Sequence, residues 1–195
     1  MTETTPQISA QALAQDSLPA RSSAPLLLLV LLQGSVSASS MVVEIVAGRM
    51  IAPYVGMSLY TWTAIIAVVL AGFSAGHWWG GRLASKDTDQ ALRSAAWTLV
   101  AAALTTAGAS LVLRGVSGTV LGNISNPLIA ISAISMLAFL LPSLFAGVPA
   151  PILTVAAMRG RTTSEQALGV MYATGAIGAI VGTVIAGFAF VPLLG

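Results

Sequence analysis

The chain contains no cysteine, and its only histidine is His77. Disulfides, thiolate metal centres and cysteine nucleophiles are thereby excluded, and a histidine-built metal site lacks ligands within one chain. Charge is nearly as scarce. Charged residues make up 7% of the 195, against roughly 25% in an ordinary soluble domain. A chain this poor in charge cannot clothe a water-facing surface, so lipid must be the solvent for much of it. The net charge of +2 rests on eight basic residues, too few to form the concentrated basic face that a nucleic-acid partner requires. The acids are Glu3, Asp16, Glu44, Asp87, Asp89 and Glu165. They are scattered over tail, helix and loops, so no acid/base pair forms and no catalytic residue is assigned.

What is abundant is apolar sequence, at 56% of residues. Residues 1–24 are small and polar, with Pro6 and Pro19, and read as a mobile cytoplasmic tail. Apolar segments follow at about 25–47, 58–83, 91–113, 127–158 and 167–194. Each reaches the roughly 20 residues needed to cross a hydrocarbon layer of ~30 Å. Strand-like alternation is missing, which excludes a barrel. The expected fold is therefore an all-α polytopic bundle of about five transmembrane helices. Arg49–Met57, with Pro53 and Gly56, reads as a loop or interfacial turn, and Val116–Ser125, rich in Gly and Ser, as another. Pro142, Pro149 and Pro151 predict a kink or break within 142–151.

Orientation follows from the basic residues. Five crossings place Arg21, Arg82, Lys86, Arg93, Arg159 and Arg161 on one side, and only Arg49 and Arg114 on the other. The richer side is expected to be cytoplasmic, and the N-terminus with it. In the second segment, Tyr60 and Trp62 stand at one end and Trp78 and Trp79 at the other. Trp62 and Trp78 are separated by roughly 24 Å of helix, close to the spacing of two interfacial aromatic belts. Arg21, the run Leu26–Leu32 and the small residues Val36, Ser37 and Ala38 also resemble a cleavable secretory signal. An uncleaved first helix is the better reading, because apolar sequence resumes at Met41.

The first segment carries Gln33, Ser37, Ser40 and Glu44 at steps of four, three and four, hence on one helical face. Lipid does not accept such a face, so it must look into the bundle or a cavity. Glu44 is the only acid inside an apolar segment. Two roles are open for it: part of a substrate, cation or proton site with the other three, or an ion pair with Arg49 near the outer end of the helix. Gly72, Gly76 and Gly80 in the second segment, and Gly178, Gly182 and Ala186 in the fifth with Gly175 a turn earlier, recur mainly at four-residue steps. This spacing lets helix backbones approach closely in lipid. No strand precedes these glycines, so they are no nucleotide loop. His77, beside Trp78 and Trp79, reads as a solvated interfacial residue, and Gly80–Asp87 as a solvated loop near lipid headgroups.

Several stretches together resemble the membrane region of bacterial spermidine-synthase-like membrane proteins, described as fused major-facilitator and spermidine-synthase proteins. They are Glu44–Gly56 followed by Ser58–Trp62, then Gly76–Ala84, Leu141–Pro151, Tyr172–Thr183 and Gly187–Gly195. In order, they cover most of residues 40–195. The resemblance implies a bundle in a bacterial cytoplasmic membrane that normally precedes a soluble aminopropyltransferase-like domain. Such a domain transfers an aminopropyl group from decarboxylated S-adenosylmethionine to a diamine. These residues contain neither a nucleotide-binding domain nor an acidic polyamine pocket, so this chain alone is expected to be non-catalytic and to need no cofactor. The expected role is to anchor or serve a separately encoded synthase-like subunit while handling polyamines. The alternative is a stand-alone oligomeric transporter of a small cationic solute.

The basic-residue asymmetry fixes one measurable outcome. Reporter fusions after Asp89 and after Gly160 should read cytoplasmic, and a fusion near Gly118 should read external. Opposite signs at these positions would overturn the N-inside topology.

Overall fold

A computed structural model describes residues 25–159 and 163–190 of the chain. The polar tail at 1–24 with Arg21, then Arg161 and the last residues of the fifth segment, lie outside the described residues. The rest forms six helices and one π-helical turn: α1 (Leu26–Val55), α2 (Leu59–Ala84), α3 (Thr88–Asn123), α4 (Pro127–Gly147), α5 (Pro149–Arg159) and α6 (Ser164–Ile185), the last continuing as the turn Ala186–Phe190. Taken with their continuations, these make five spans long and apolar enough to cross a membrane, with α4 and α5 counted as one. Among the described residues no strand is formed.

Three stretches read as loops are helical. α1 continues through Arg49 and Pro53 to Val55. Proline in the last turn deprives only one carbonyl of its donor, and backbone in lipid has no partner outside a helix. The stop is Gly56, whose φ of 75° suits a residue without a side chain and whose N–H donates to the Ala52 carbonyl at 2.8 Å. α3 likewise runs through the Gly- and Ser-rich stretch expected to be a loop at 116–125, ending only at Asn123. Ser117 donates its hydroxyl to the Leu113 carbonyl and Asn123 its amide to Thr119, so these polar side chains bond their own helix. An external reporter therefore belongs in the turn at 124–126 rather than at Gly118. The third stretch, Gly80–Asp87, is helical as far as Ala84.

The turns carry their own stitching. Ser58 caps α2 by accepting from the Thr61 N–H, and the Thr61 hydroxyl donates back to the Gly56 carbonyl at 3.1 Å. Asn126 caps α4 through the Leu128 N–H, with Pro127 in the first turn, where its missing donor is harmless. The proline-rich stretch breaks once. α4 runs on past Pro142 and ends at Gly147, and Pro149 opens α5.

Two glycine seams organise the packing. On the first, α2 lies against α4 and the start of α5. A methyl placed on Gly72 would sit 2.6 Å from the Ser143 Cβ; on Gly76 it would strike the Leu144 carbonyl oxygen, and on Gly80 that of Val148. Gly147 answers from the other side, facing the Phe73 carbonyl at 2.9 Å from where its own Cβ would be. On the second seam, α6 lies on α1. A methyl on Gly178 would strike the Gly34 carbonyl oxygen and one on Gly182 that of Ala38. α3 packs mainly on α4, and α5 touches α1, α2, α3 and α6 together. α1 and α3 barely meet.

Each end of the bundle is closed differently. At the Gly56 end, α1 joins α2, α3 and α4 in an apolar cluster around Ile51, Ile65, Leu113, Ile134 and Phe139. Trp62 lies over Gly48 there, so it covers α1 and is not free to serve as a lipid-facing belt residue. At the other end, α5 packs Leu153, Ala156 and Ala157 against Leu29, Ala167 and Met171, and Ile152 against Ala84, Ala91 and Ala95. The Arg159 guanidinium closes that end by donating to the Ala84 and Lys86 carbonyls, both at 2.7 Å. It supplies donors to carbonyls around the end of α2.

The seams predict a contrast between glycines. Gly76→Ala and Gly182→Ala should each lower the melting temperature in detergent, because the new methyl meets backbone that cannot turn aside. Gly108→Ala, where a side chain meets nothing within 4 Å, should instead be neutral or stabilising by up to about 1 kcal/mol through helix propensity. Equal effects at all three positions would refute the assignment of the seams.

Candidate functional site

A cavity of about 580 Å³ lies between α1, α2, α3 and α4. Its walls are contributed by Leu32–Ala47 of α1, Val69 and Phe73 of α2, Leu99–Ala107 of α3 and Phe139–Ala146 of α4. These stretches bracket the middle of each span, so the cavity sits at mid-depth in the bundle. Among the described residues Glu44 is the only ionisable one lining it. Because α1 continues to Val55, Glu44 stands roughly 17 Å inside the helix end at ~1.5 Å per residue. The expected position near the outer interface is corrected accordingly: the carboxylate belongs to the interior of the span.

The same continuity removes the Glu44–Arg49 pair. It required the helix to end or turn near Gly48, and the helix does neither. Five residues of continuous helix rotate the two side chains by about 140° relative to one another. Glu44 is half-buried on the cavity, while Arg49 is exposed elsewhere on the helix. Among the described residues no basic side chain lines the cavity.

The polar stripe divides. Ser40 and Glu44 line the cavity. Gln33 and Ser37 instead flank the α6 seam, their polar atoms 3.3 and 3.4 Å from where a side chain on Gly175 would begin. Gln33 is 7% exposed, and its Oε1 has no hydrogen-bond partner. Four further polar residues line the cavity that the stripe did not include: Ser35, Ser39, Thr106 and Ser143. Ser35 and Ser39 were detectable in principle, since they sit four apart beside the stripe. Thr106 and Ser143 come from α3 and α4, and nothing local in the sequence brings those helices to α1.

The hydrogen bonding bears on the chemistry of the cavity. Ser40 donates its hydroxyl to the Val36 carbonyl at 2.9 Å, and Ser143 donates to Phe139 at 2.8 Å. Each hydroxyl proton is committed to its own helix, which leaves the oxygen lone pairs free to accept. Ser35, Ser39 and Thr106 also line the wall and can donate or accept, so the carboxylate of Glu44 is what gives the wall its sign. An amine or other cation complements that carboxylate, whereas an anion does not.

The remaining candidates lie elsewhere. His77 is exposed, its ring 6.2 Å from that of Phe73, and it does not line the cavity. Arg82 lies 3.5 Å over the Trp78 ring, a cation–π contact of an exposed pair. Among the described residues no group of three His, Asp or Glu side chains converges on a point. No family model, curated protein or solved structure matches the chain.

The separation of Glu44 from Arg49 is testable by a double-mutant cycle on stability. Glu44→Gln and Arg49→Gln should be additive within about 0.5 kcal/mol. A coupling above about 1 kcal/mol would restore the ion pair.

Proposed function

We propose that the chain is a membrane module that holds an organic amine on Glu44 at mid-depth in a bacterial cytoplasmic membrane, with its N-terminus in the cytoplasm. The observation that carries this reading is a carboxylate in a 580 Å³ cavity that no basic side chain lines among the described residues, with the Ser40 and Ser143 oxygens free to accept. An acid at the centre of a span costs about 2.5–3.5 kcal/mol on the insertion scale. Such a residue is by default read as serving a substrate or ion. The resemblance of residues 44–62, 76–84 and 172–195 to spermidine-synthase-like membrane proteins supports amines as the class. By that resemblance the module anchors or serves a separate aminopropyltransferase-like subunit.

A stand-alone oligomeric exporter of small cations draws on the same cavity. One feature favours it: the span α4–α5 is broken at Val148, directly beyond the last cavity residue Ala146. Interrupted helices beside a mid-depth site are a recurring part of transporters.

Equilibrium binding separates the amine reading from none. Protein in lipid nanodiscs is titrated with putrescine, spermidine and hexylamine. At least one should bind saturably, and Glu44→Gln should weaken that binding tenfold or more while Glu44→Asp retains most of it. Binding indifferent to Glu44, or no binding by any of the three, rejects the proposal. Vesicle uptake of the bound amine then divides exporter from module, since only the exporter moves it across.

A further inference from the structure

The cavity has one side left open. The apolar cluster of Ile51, Ile65, Leu113 and Phe139 closes it toward the Gly56 end, and α5 with its two clusters closes it toward Arg159. α2 and α4 are sealed to each other by glycines. Among the four cavity helices the contact between α1 and α3 is the sparsest, and there the lining residues Ser35, Ser39, Ala103 and Ala107 are exposed. In a span at this depth, that opening faces hydrocarbon rather than water.

A second, smaller cavity of about 100 Å³ lies along the same seam. It shares Val43, Thr106, Phe139 and Pro142 with the first and adds Val42, Val46, Met50 and Ala109. Thr106 is its only polar side chain. The first compartment carries a carboxylate and several hydroxyls on a mostly apolar wall, while the second is almost wholly apolar. One molecule suits both, a cationic head joined to an alkyl tail.

We infer that the ligand of Glu44 is a singly charged cationic amphiphile that reaches the cavity from within the bilayer, through the seam between α1 and α3. This rests on the reading of Glu44 as an amine site and narrows it. The head places its charge on Glu44 and its N–H groups on the Ser40 and Ser143 oxygens. The tail occupies the apolar compartment toward Met50. A polyamine fits less well, because one carboxylate neutralises one ammonium and each further ammonium would be stripped of water without a partner. A hydrated inorganic cation has the same difficulty and no use for the apolar compartment.

The test compares probes on the wild-type protein, so it does not depend on any variant folding. Tritiated decylamine, cationic at pH 7, and tritiated spermidine are titrated into protein-loaded nanodiscs, with empty nanodiscs subtracted. Decylamine should bind saturably and at least tenfold more tightly than spermidine. Referred to free aqueous concentration, affinity should rise roughly fourfold per methylene from hexylamine to decylamine. Glu44→Gln should abolish the saturable fraction, and Ala103→Trp, at the lip of the opening, should slow decylamine association severalfold. Spermidine binding that depends on Glu44 and equals or exceeds decylamine binding overturns the amphiphile and leaves the amine site standing. If no probe binds in a Glu44-dependent way, the amine site falls as well.

Discussion

Backbone-to-backbone approach at glycine is the constraint on which this bundle depends. In lipid there is no hydrophobic gain from bringing apolar helices together, because the surrounding tails are equally apolar. What remains is dispersion between closely fitted surfaces, and that is greatest where no side chain intervenes. Gly72, Gly76 and Gly80 fasten α2 to α4, and Gly178 and Gly182 fasten α6 to α1. Each seam consumes one face of each helix. α1 spends its small face, Gly34 and Ala38, on α6, and is thereby held away from α3. The cavity follows from where the glycines are spent.

Polar groups obey the same economy of partners. The hydroxyls of Ser40, Thr63, Ser74, Ser143 and Thr183 donate to carbonyls on their own helices, and need nothing from neighbours. Among the described residues two polar atoms depart from the pattern by being buried without a partner, Gln33 Oε1 and Ser135 Oγ. Gln33 stands beside Gly175 on the α1–α6 seam, so close packing and an unsatisfied acceptor share one interface. An unpartnered buried acceptor costs about 1–3 kcal/mol.

Hydropathy alone was enough to read five spans, since runs such as Leu26–Leu32 and Ala138–Leu141 admit no other solvent. The C-terminal ends of α1 and α3 were not legible. Arg49–Val55 and Val116–Asn123 carry Pro, Gly and Ser, which punctuate soluble chains, yet both remain helical where backbone lacks water. Part of the α1 wall of the cavity was visible as the stripe through Ser40 and Glu44. Its opposing wall was not, because Thr106 and Ser143 acquire meaning only once α3 and α4 are placed. The error over Glu44 and Arg49 followed from the error over the helix end: shortening α1 by two turns moved a mid-depth carboxylate to an interface.

The pairing of α1 with α6 also bears on how the protein is made. The two helices are the first and last described spans, so one partner leaves the ribosome well before the other. About 130 residues separate Val55 from Ile185, a delay on the order of ten seconds at roughly 5–20 residues per second. α2, α3 and α4 emerge as sequence neighbours and assemble within that interval. α1 must meanwhile wait in or beside the insertion machinery with Gln33, Ser37 and the groove at Gly34 uncovered. Its early residence is a chaperoning problem, and the arrival of α6 is the event that ends it.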